Sequence, residues 1–530
     1  MASAATPDET GGLETAPPPT RAEPKASITD WLAVIAGTLG ALMATLDISI
    51  VNSALPTIQG EIGASGTEGA WVATAYLVAE IIVIPLAAWL TRVFGLRTFL
   101  LIAVTTFTGF SIVCGIATSL STMVIGRIGQ GFTGGALIPI AQTIIALRLP
   151  RRQQPVGIAL FGVVVILGPL LGPLLGGWLT ENISWHYAFF INVPVSGVLL
   201  ILLLTGLPHE KANLGLLGRA DWIGILGLAM TLGALTVLLE EGAREEWFAS
   251  ELIQLMALIV VVGACLLFYG QATAREPVIK LKLLLDRQFG AVAIMGITIG
   301  MVLYGTSYAI PQFLAAIADY NALQAGKVVL LSGIPSIMLM PFVPLMIRNI
   351  DIRVAVGAGM VMMGLSAYFD AELTINSTGG AFTVSQLLRG AGTIMAMMFL
   401  SQATVASVPP EDAGDASGLF NAFRNLGGSF ALAGISILQQ NRLWLHQRRI
   451  EESLNANGME VQSYVAQLSH QFGNAATGMR VLGQQIYGQA LVMTYNDIFF
   501  ALTVAVALAT PLVLLLRPLP QDGSQEMAMH

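Results

Sequence analysis

Residues 168–177 read Gly-Pro-Leu-Leu-Gly-Pro-Leu-Leu-Gly-Gly, inside an apolar stretch from about Val156 to Leu179. Gly168, Gly172 and Gly176 recur every four residues. On a helix they make one stripe without side chains, which a second helix backbone can approach closely. Pro169 and Pro173 each remove a backbone donor and crowd the preceding turn, so a bend is expected there. Such a stripe in an apolar run is a packing seam between membrane helices, and it makes the chain a helical membrane protein.

The composition agrees. Of 530 residues, 55% are hydrophobic and 11% charged, whereas soluble domains carry about 25% charged residues. The apolar residues fall in blocks of roughly 20, enough to cross a core of ~30 Å. An all-α polytopic fold is predicted. The net charge of −7 comes with no basic cluster of the kind nucleic acid requires. Cys114 and Cys265 both lie in apolar blocks, which indicates neither a disulfide framework nor a thiol metal site. Residues 1–28 are rich in Ala, Thr, Pro, Glu and Gly and read as a disordered cytoplasmic tail without a cleavable signal.

Helix blocks are predicted near 30–52, 70–91, 97–118, 122–148, 154–179, 185–207, 221–240, 251–270, 288–313, 325–347, 353–373, 380–407, 413–439 and 490–516. That makes 14 in total, an even number that leaves both termini on one side. With the N-terminus in the cytoplasm, inside segments hold sixteen lysines and arginines and outside segments five, four of these in the long stretch 440–489. The positive-inside rule therefore places both termini, including a tail at 521–530, in the cytoplasm.

Pro150, Leu160, Phe161 and Gly168 recur as Pro409, Leu419, Phe420 and Gly427, always 259 residues on. The fourth and fifth helices thus resemble the twelfth and thirteenth. A shift of eight helices implies two six-helix halves, 29–208 and 288–520, with two extra transmembrane helices between them in 209–287. The outside segment 440–489 contains helix-compatible runs, Gln439–Ser453 and Val461–Phe472. It is either a mobile cap or a docking surface for a partner, since so long a structureless loop would be unusual.

Ionisable residues within membrane helices are functional candidates by default. Five stand out: Asp47, Glu80, Arg127, Arg389 and Arg424. Lys327 lies near enough to a helix end to snorkel. Asp47 and Arg127 each sit about five residues from an outer helix end, ~8 Å deep. Equal depth permits a pair, the cheaper arrangement for two such charges. That pair is either a gate opened by protonation or a static clamp on helix register. Arg127, Gln130, Gly131 and Gly134 share one helix face. Glu80 lies mid-membrane, as a proton carrier, a ligand for cationic substrates, or a hydrogen-bonded core residue. Asn421, Arg424, Asn425 and Gly428 share another face, and Arg389 opens Arg389-Gly390-Ala391-Gly392. With Gln130, the residues Asn421, Arg424, Asn425 and Arg389 are candidates to line a substrate cavity.

These residues together resemble the fourteen-helix drug:proton antiporter family of the major facilitator superfamily, EmrB/QacA type, and its EmrB subgroup more closely. The similarity runs from residue 30 to 518. It is carried by Asp47 to Pro56 in the first helix, by Arg127-x-x-Gln130-Gly131 in the fourth, and by the antiporter motif Gly168, Gly172, Pro173, Gly176 and Gly177. Trp185 followed by Phe189, Phe190, Ile191, Asn192, Val193 and Pro194 extends it into the sixth, and the long 440–489 segment resembles the EmrB subgroup. Two departures stand out: Arg92 where the family's second-to-third loop has Asp, and His186 where Arg commonly follows Trp185.

The resemblance implies a major facilitator fold that exports hydrophobic drugs or toxic compounds across the inner membrane in exchange for protons. Asp47, Arg127 and Glu80 would couple to protons, and the gradient would replace any cofactor. It further implies a periplasmic adaptor of the EmrA type and an outer-membrane channel as partners. A non-transporting sensor on the same scaffold, or an exporter of one dedicated metabolite or fatty acid, are the alternatives. A membrane enzyme is disfavoured, because His186, His209, His446, His470 and His530 are scattered without metal-ligand spacing. Met-rich runs near 360–363 and 395–399 suit an adaptable apolar wall or ordinary core filling.

Overall fold

A computed structural model describes residues 25–274, 277–454, 458–472 and 474–517. The expected tail at 521–530 and nearly all of the one at 1–28 lie outside them. The described residues form helices and turns, with no strand among them. Among the described residues, twelve helices are long and apolar enough to cross a membrane. They are α1 (Ile28–Ile62), α2 (Trp71–Phe94), α3 (Leu96–Gly115), α4 (Leu120–Arg148), α5 (Gln154–Asn182), α6 (Tyr187–Gly206), α7 (Trp222–Glu241), α8 (Glu251–Thr273), α9 (Arg287–Ala318), α10 (Leu323–Asn349), α11 (Ile352–Asp370) and α15 (Ala476–Leu515). Two further long helices, α12 (Thr383–Ala406) and α13 (Ala413–Ser453), pack inside the same bundle but carry more polar residues. Fourteen spans were expected; twelve meet the requirement of length and apolarity. A short helix, α14 (Met459–Phe472), precedes α15.

Local chemistry explains the helix ends and breaks. Ser27 caps α1 by accepting from the Asp30 N–H, and Asp30 answers it in a capping box. Helix α1 then continues through Pro56 to Ile62, ten residues beyond its expected end at 52. Gly63, at φ 68°, stops it in the left-handed region open to glycine. Pro85 converts one turn of α2 to 3-10 geometry. Helix α4 loosens at Gly135 and Ala136, where a Cβ on Gly135 would meet Glu80 and Val83 at 2.8 Å.

The helices pack in two groups, α1–α6 and α9–α13 with α15. Between the groups, α5 lies against α10 and α12, and α13 lies against α2 and α4. Gln142 on α4 donates to Ser401 on α12 at 3.3 Å, and these two residues are 259 positions apart. That separation equals the offset of the sequence repeat, and such a contact is what a two-fold relation with its axis between α4 and α12 would give. The inserted pair α7–α8 packs against α2 and also reaches α13.

Arg92, Arg97, Arg148, Arg353 and Arg517 gather at one end of the bundle, the basic end, through contacts to Asp415, Leu207, Asp30, Leu516 and Asp286. There the groups are joined. Arg92 pairs with Asp415 at 2.9 Å, Lys280 pairs with Asp412, and Gly418 lets α13 approach the Ile84 carbonyl, where a Cβ would come within 3.0 Å.

At the opposite end the expected long loop is mostly helix. Helix α13 has 41 residues, hence ~60 Å of length against a ~30 Å core. Its outer half and α15 form a projecting hairpin, with α14 laid on α15. His446 meets Asp497 at 2.8 Å, Arg442 meets it at 3.5 Å, and Tyr464 donates to Gln485 at 2.9 Å. The 440–489 sequence read as a loop because its apolar residues are interleaved with Gln, Asn and Glu, which suits a two-helix contact in water.

Candidate functional site

Asp47 on α1 and Arg127 on α4 form a buried ion pair, Nη1 to Oδ2 at 2.6 Å. Both charged side chains make several further hydrogen bonds, while the nearby Tyr76 hydroxyl has no partner among the described residues. Arg127 Nε donates to the Val72 carbonyl at 3.0 Å, and its Nη1 also donates to Gln130 Oε1 at 3.0 Å. Asp47 Oδ1 accepts from Gln130 Nε2 at 3.0 Å and from Asn192 Nδ2 at 2.7 Å. Both amides also donate to Ser111 Oγ, at 2.7 and 2.9 Å. The Tyr76 ring lies under the guanidinium, 4.2 Å from its carbon. Five helices, α1, α2, α3, α4 and α6, therefore share one polar knot. Gln130, a cavity candidate from its helix face, is a member of this knot. In the dry interior such a pair holds only while its hydrogen bonds are complete.

The glycines of α4 create the room. A Cβ on Gly131 would meet Ala79 at 2.8 Å, and one on Gly134 would meet the Tyr76 hydroxyl at 2.9 Å. Close approach of α2 and α4 brings Arg127 to the Val72 carbonyl and the Tyr76 ring.

A second cluster lies between the two groups of helices. Glu80 on α2 is buried, and its Oε1 has no hydrogen-bond partner. Across from it on α13, Asn425 stands within reach of its carboxyl and Arg424 acts on it electrostatically. Arg424 Nη2 donates to Asn425 Oδ1 at 3.3 Å, while Nη1 has no partner. Tyr304 on α9 feels both charges. Asn421, one turn earlier on α13, donates to Gln142 at 3.0 Å, and its own oxygen is unpartnered. The sequence named no cation for Glu80. The cation comes from a helix some 340 positions away in the chain, and no local spacing connects them.

The glycine stripe of α5 faces α1. Side chains added at Gly168, Gly172 and Gly176 would collide with Thr45, Ser49 and Ser53 in turn. The two helices run parallel, in steps of four on both. Pro173 has no N–H for the carbonyl of Pro169, and Ser49 Oγ donates to that carbonyl at 3.2 Å instead. Gly177 has open space around it. Helix α5 runs unbroken from Gln154 to Asn182.

Arg389 is paired with Asp370, Nη2 to Oδ2 at 2.8 Å, and so is engaged away from the Arg424 cluster. Sequence reasoning passed over Asp370 and Glu240, because each falls near the end of a predicted span. In the structure Glu240 accepts from Ser429 on α13 at 2.8 Å. Its neighbour Glu241 accepts from Thr74 on α2 at 2.5 Å, so the end of α7 touches both groups. Ser111 and Asn192 were also without an assigned role.

The sequence profile described as the Major Facilitator Superfamily matches residues 37–432. The chain is 33% identical over 484 residues to the "Colistin resistance protein EmrB" of Acinetobacter baumannii, covering 90% of this chain and 94% of that one. It is 31% identical over 471 residues to the "Multidrug export protein EmrB" of Escherichia coli K12, covering 88% and 91%. In fold it is similar to the crystal structure of the human organic anion transporter MFSD10 (TETRAN). The TM-score is 0.58 at 14% identity, over 90% of this chain and 99% of that one.

Proposed function

Given that the chain belongs to the major facilitator superfamily, with relatives of the EmrB type, and is a transporter rather than an enzyme, we propose that it exports hydrophobic drugs or toxic compounds in exchange for protons. The observation that carries this reading is a contrast between two buried charge sets. Asp47 and Arg127 are bonded to each other and to Val72, Gln130 and Asn192 inside one group of helices. Glu80 and Arg424 face each other between the groups, each with an atom left unpartnered. A proton arriving on Asp47 removes the negative charge that holds Arg127 and frees the knot to rearrange. Glu80 and Arg424 offer a substrate one acceptor and one donor at the seam where the two groups rock.

In this reading the basic end is cytoplasmic, α12 and α13 complete fourteen spans, and the two groups are six-helix halves, 29–208 and 288–520. The helical projection at 440–489 is then periplasmic. Its exposed Trp444, Tyr464 and Tyr487 suit contact with an adaptor of the EmrA type and, through it, an outer-membrane channel. The names of the relatives support drug export, and the tripartite assembly is our extension.

The test uses the purified full chain in vesicles loaded with a pH-sensitive dye. Adding compounds from a toxic-compound panel is expected to release protons for those to which the chain confers resistance in cells. Asp47→Asn is expected to fold and to abolish that release. Resistance without any proton movement would end the exchange mechanism. Neither resistance nor flux with any compound would leave the sensor reading in its place.

A further inference from the structure

The second half contains an ion pair that the proposed exchange does not use. Asp370 ends α11 and Arg389 sits one and a half turns into α12. Arg389 Nη2 donates to Asp370 Oδ2 at 2.8 Å and Nε donates to Ser366 Oγ at 3.2 Å. Asp370 is 1% and Arg389 6% exposed. The groups acting on Asp370 are the Arg389 guanidinium and the Ser385 hydroxyl.

The internal repeat identifies what this pair replaces. Moved on by 259 residues, Ser111, Arg127, Gln130 and Gly131 fall on Asp370, Gln386, Arg389 and Gly390. In the first half Gln130 Nε2 donates to Ser111 Oγ at 2.7 Å. The same contact between equivalent helices is thus an amide–hydroxyl bond in one half and a carboxylate–guanidinium bond in the other. In the first half this position holds neutral side chains, though within the Asp47–Arg127 knot, so the helix contact at this position does not itself dictate an ion pair. Burying two ions is unfavourable unless their bonds are complete, and a neutral replacement is often as stable. A second observation lies beside the pair. Gln386, at the repeat position of Arg127 and one turn before Arg389, is buried with neither amide atom partnered. Unsatisfied buried amides are rare and mark places where something else binds or passes.

We propose that Asp370 is a second proton-binding carboxylate of the transporter, released and recaptured by Arg389, with Gln386 as the polar step beside it. The proposal rests on the proton-exchange reading above. In the step, a proton adds to a carboxylate oxygen of Asp370 and its ionic bond to Arg389 is lost. Arg389 keeps Ser366 as an acceptor. Loss of the proton restores the pair, and nothing else is consumed.

The repeat supplies a variant that should fold. D370S/R389Q copies the Ser111–Gln130 contact into the second half. The readout is the infrared absorption of protonated buried carboxyl groups, taken as the difference between acidic and mildly alkaline buffer on the purified full chain. The wild type is expected to give such a signal, and D370S/R389Q to lose one carboxyl's share of it while staying monodisperse. D47N is expected to lose a separate share. If D370S/R389Q misfolds, D370N/R389Q is measured in its place, with the same expectation. A signal unchanged in the folded double variant overturns the proposal and makes the pair structural. A signal that D370S/R389Q reduces and D47N leaves untouched keeps Asp370 and removes Asp47 from the exchange. A wild type without any protonated-carboxyl signal overturns both readings.

Discussion

At the scale of residues, the Asp47–Arg127 pair is worth little as attraction and much as completeness. Removing one partner of a buried pair leaves the other charge in a dry site, at a cost of about 3–5 kcal/mol, whereas removing both is often tolerated. Arg127→Leu alone should therefore lower the melting temperature in detergent sharply, because Asp47 keeps only the Gln130 and Asn192 donors. Adding Asp47→Asn should recover most of the loss. A double variant no more stable than Arg127→Leu would mean that the Tyr76 stack and the Val72 carbonyl, not charge, dominate the site. The pair itself was legible in the sequence, since two lone charges at one depth have few other options. Ser111 and Asn192 were not. Neutral polar residues are common in membrane helices, where a hydroxyl satisfies itself on the carbonyl four residues back, as Thr45 does on Ala41. Glu80 was visible as a cost, but its neighbours Arg424 and Asn425 depended on the folding of a distant helix.

At the scale of elements, the α5 stripe makes a contrast within one motif. Gly172 and Gly176 abut Ser49 and Ser53, while Gly177 has nothing within 4 Å of an added Cβ. Gly172→Leu forces α1 and α5 apart and should cost at least the 1–3 kcal/mol typical of overpacking, stopping transport. Gly177→Ala should be neutral in both melting temperature and transport. An active, stable Gly172→Leu variant would mean that α1 moves away from α5 at little cost. The period of four announced this seam from sequence alone, and the bonding of Ser49 to the Pro169 carbonyl adds its detail. Helix ends were less legible. The first helix was expected to end near 52, yet it passes Pro56 to Ile62, because a proline removes one bond and its neighbours can supply the rest. The run Gln439–Ser453 was legible as helix-compatible, but not as the continuation of α13, which runs past the apolar core to Ser453.

At the scale of the molecule, two ends carry two separate jobs. The projecting hairpin lies outside the central charge sets. Replacing residues 449–488 by a twelve-residue Gly/Ser linker, with a reach of about 17–21 Å, keeps the His446–Asp497 contact. Proton exchange in vesicles should survive this change, while resistance in cells and copurification of an adaptor fall. Lost vesicle exchange with retained adaptor binding would make the hairpin a lid instead. The basic end joins the two groups of helices through Arg92 on α2 and Asp415 on α13. The similar family places an acid where this chain has Arg92, so here the cation comes from α2 and the acid from α13. Arg92 is 39% exposed, but Asp415 is only 1% exposed and its Oδ1 has no partner among the described residues. The cost of burying that carboxylate offsets most of the attraction and leaves a net of about 0–1 kcal/mol. That is too small to matter for folding but enough to shift a balanced two-state equilibrium by up to about fivefold. Asp415→Ala should thus leave the melting temperature nearly unchanged while widening the basic end. Spin labels on α2 and α13 near that end would report the change as a larger long-distance population. The reversed pair, Arg92→Asp with Asp415→Arg, should return the distances toward the wild type. If Asp415→Ala leaves the distances as they are, closure rests on the glycine contacts of α13 against Ile84 and Ala88 and on Lys280 with Asp412. Substitution at Gly418 would then be the change that opens this end.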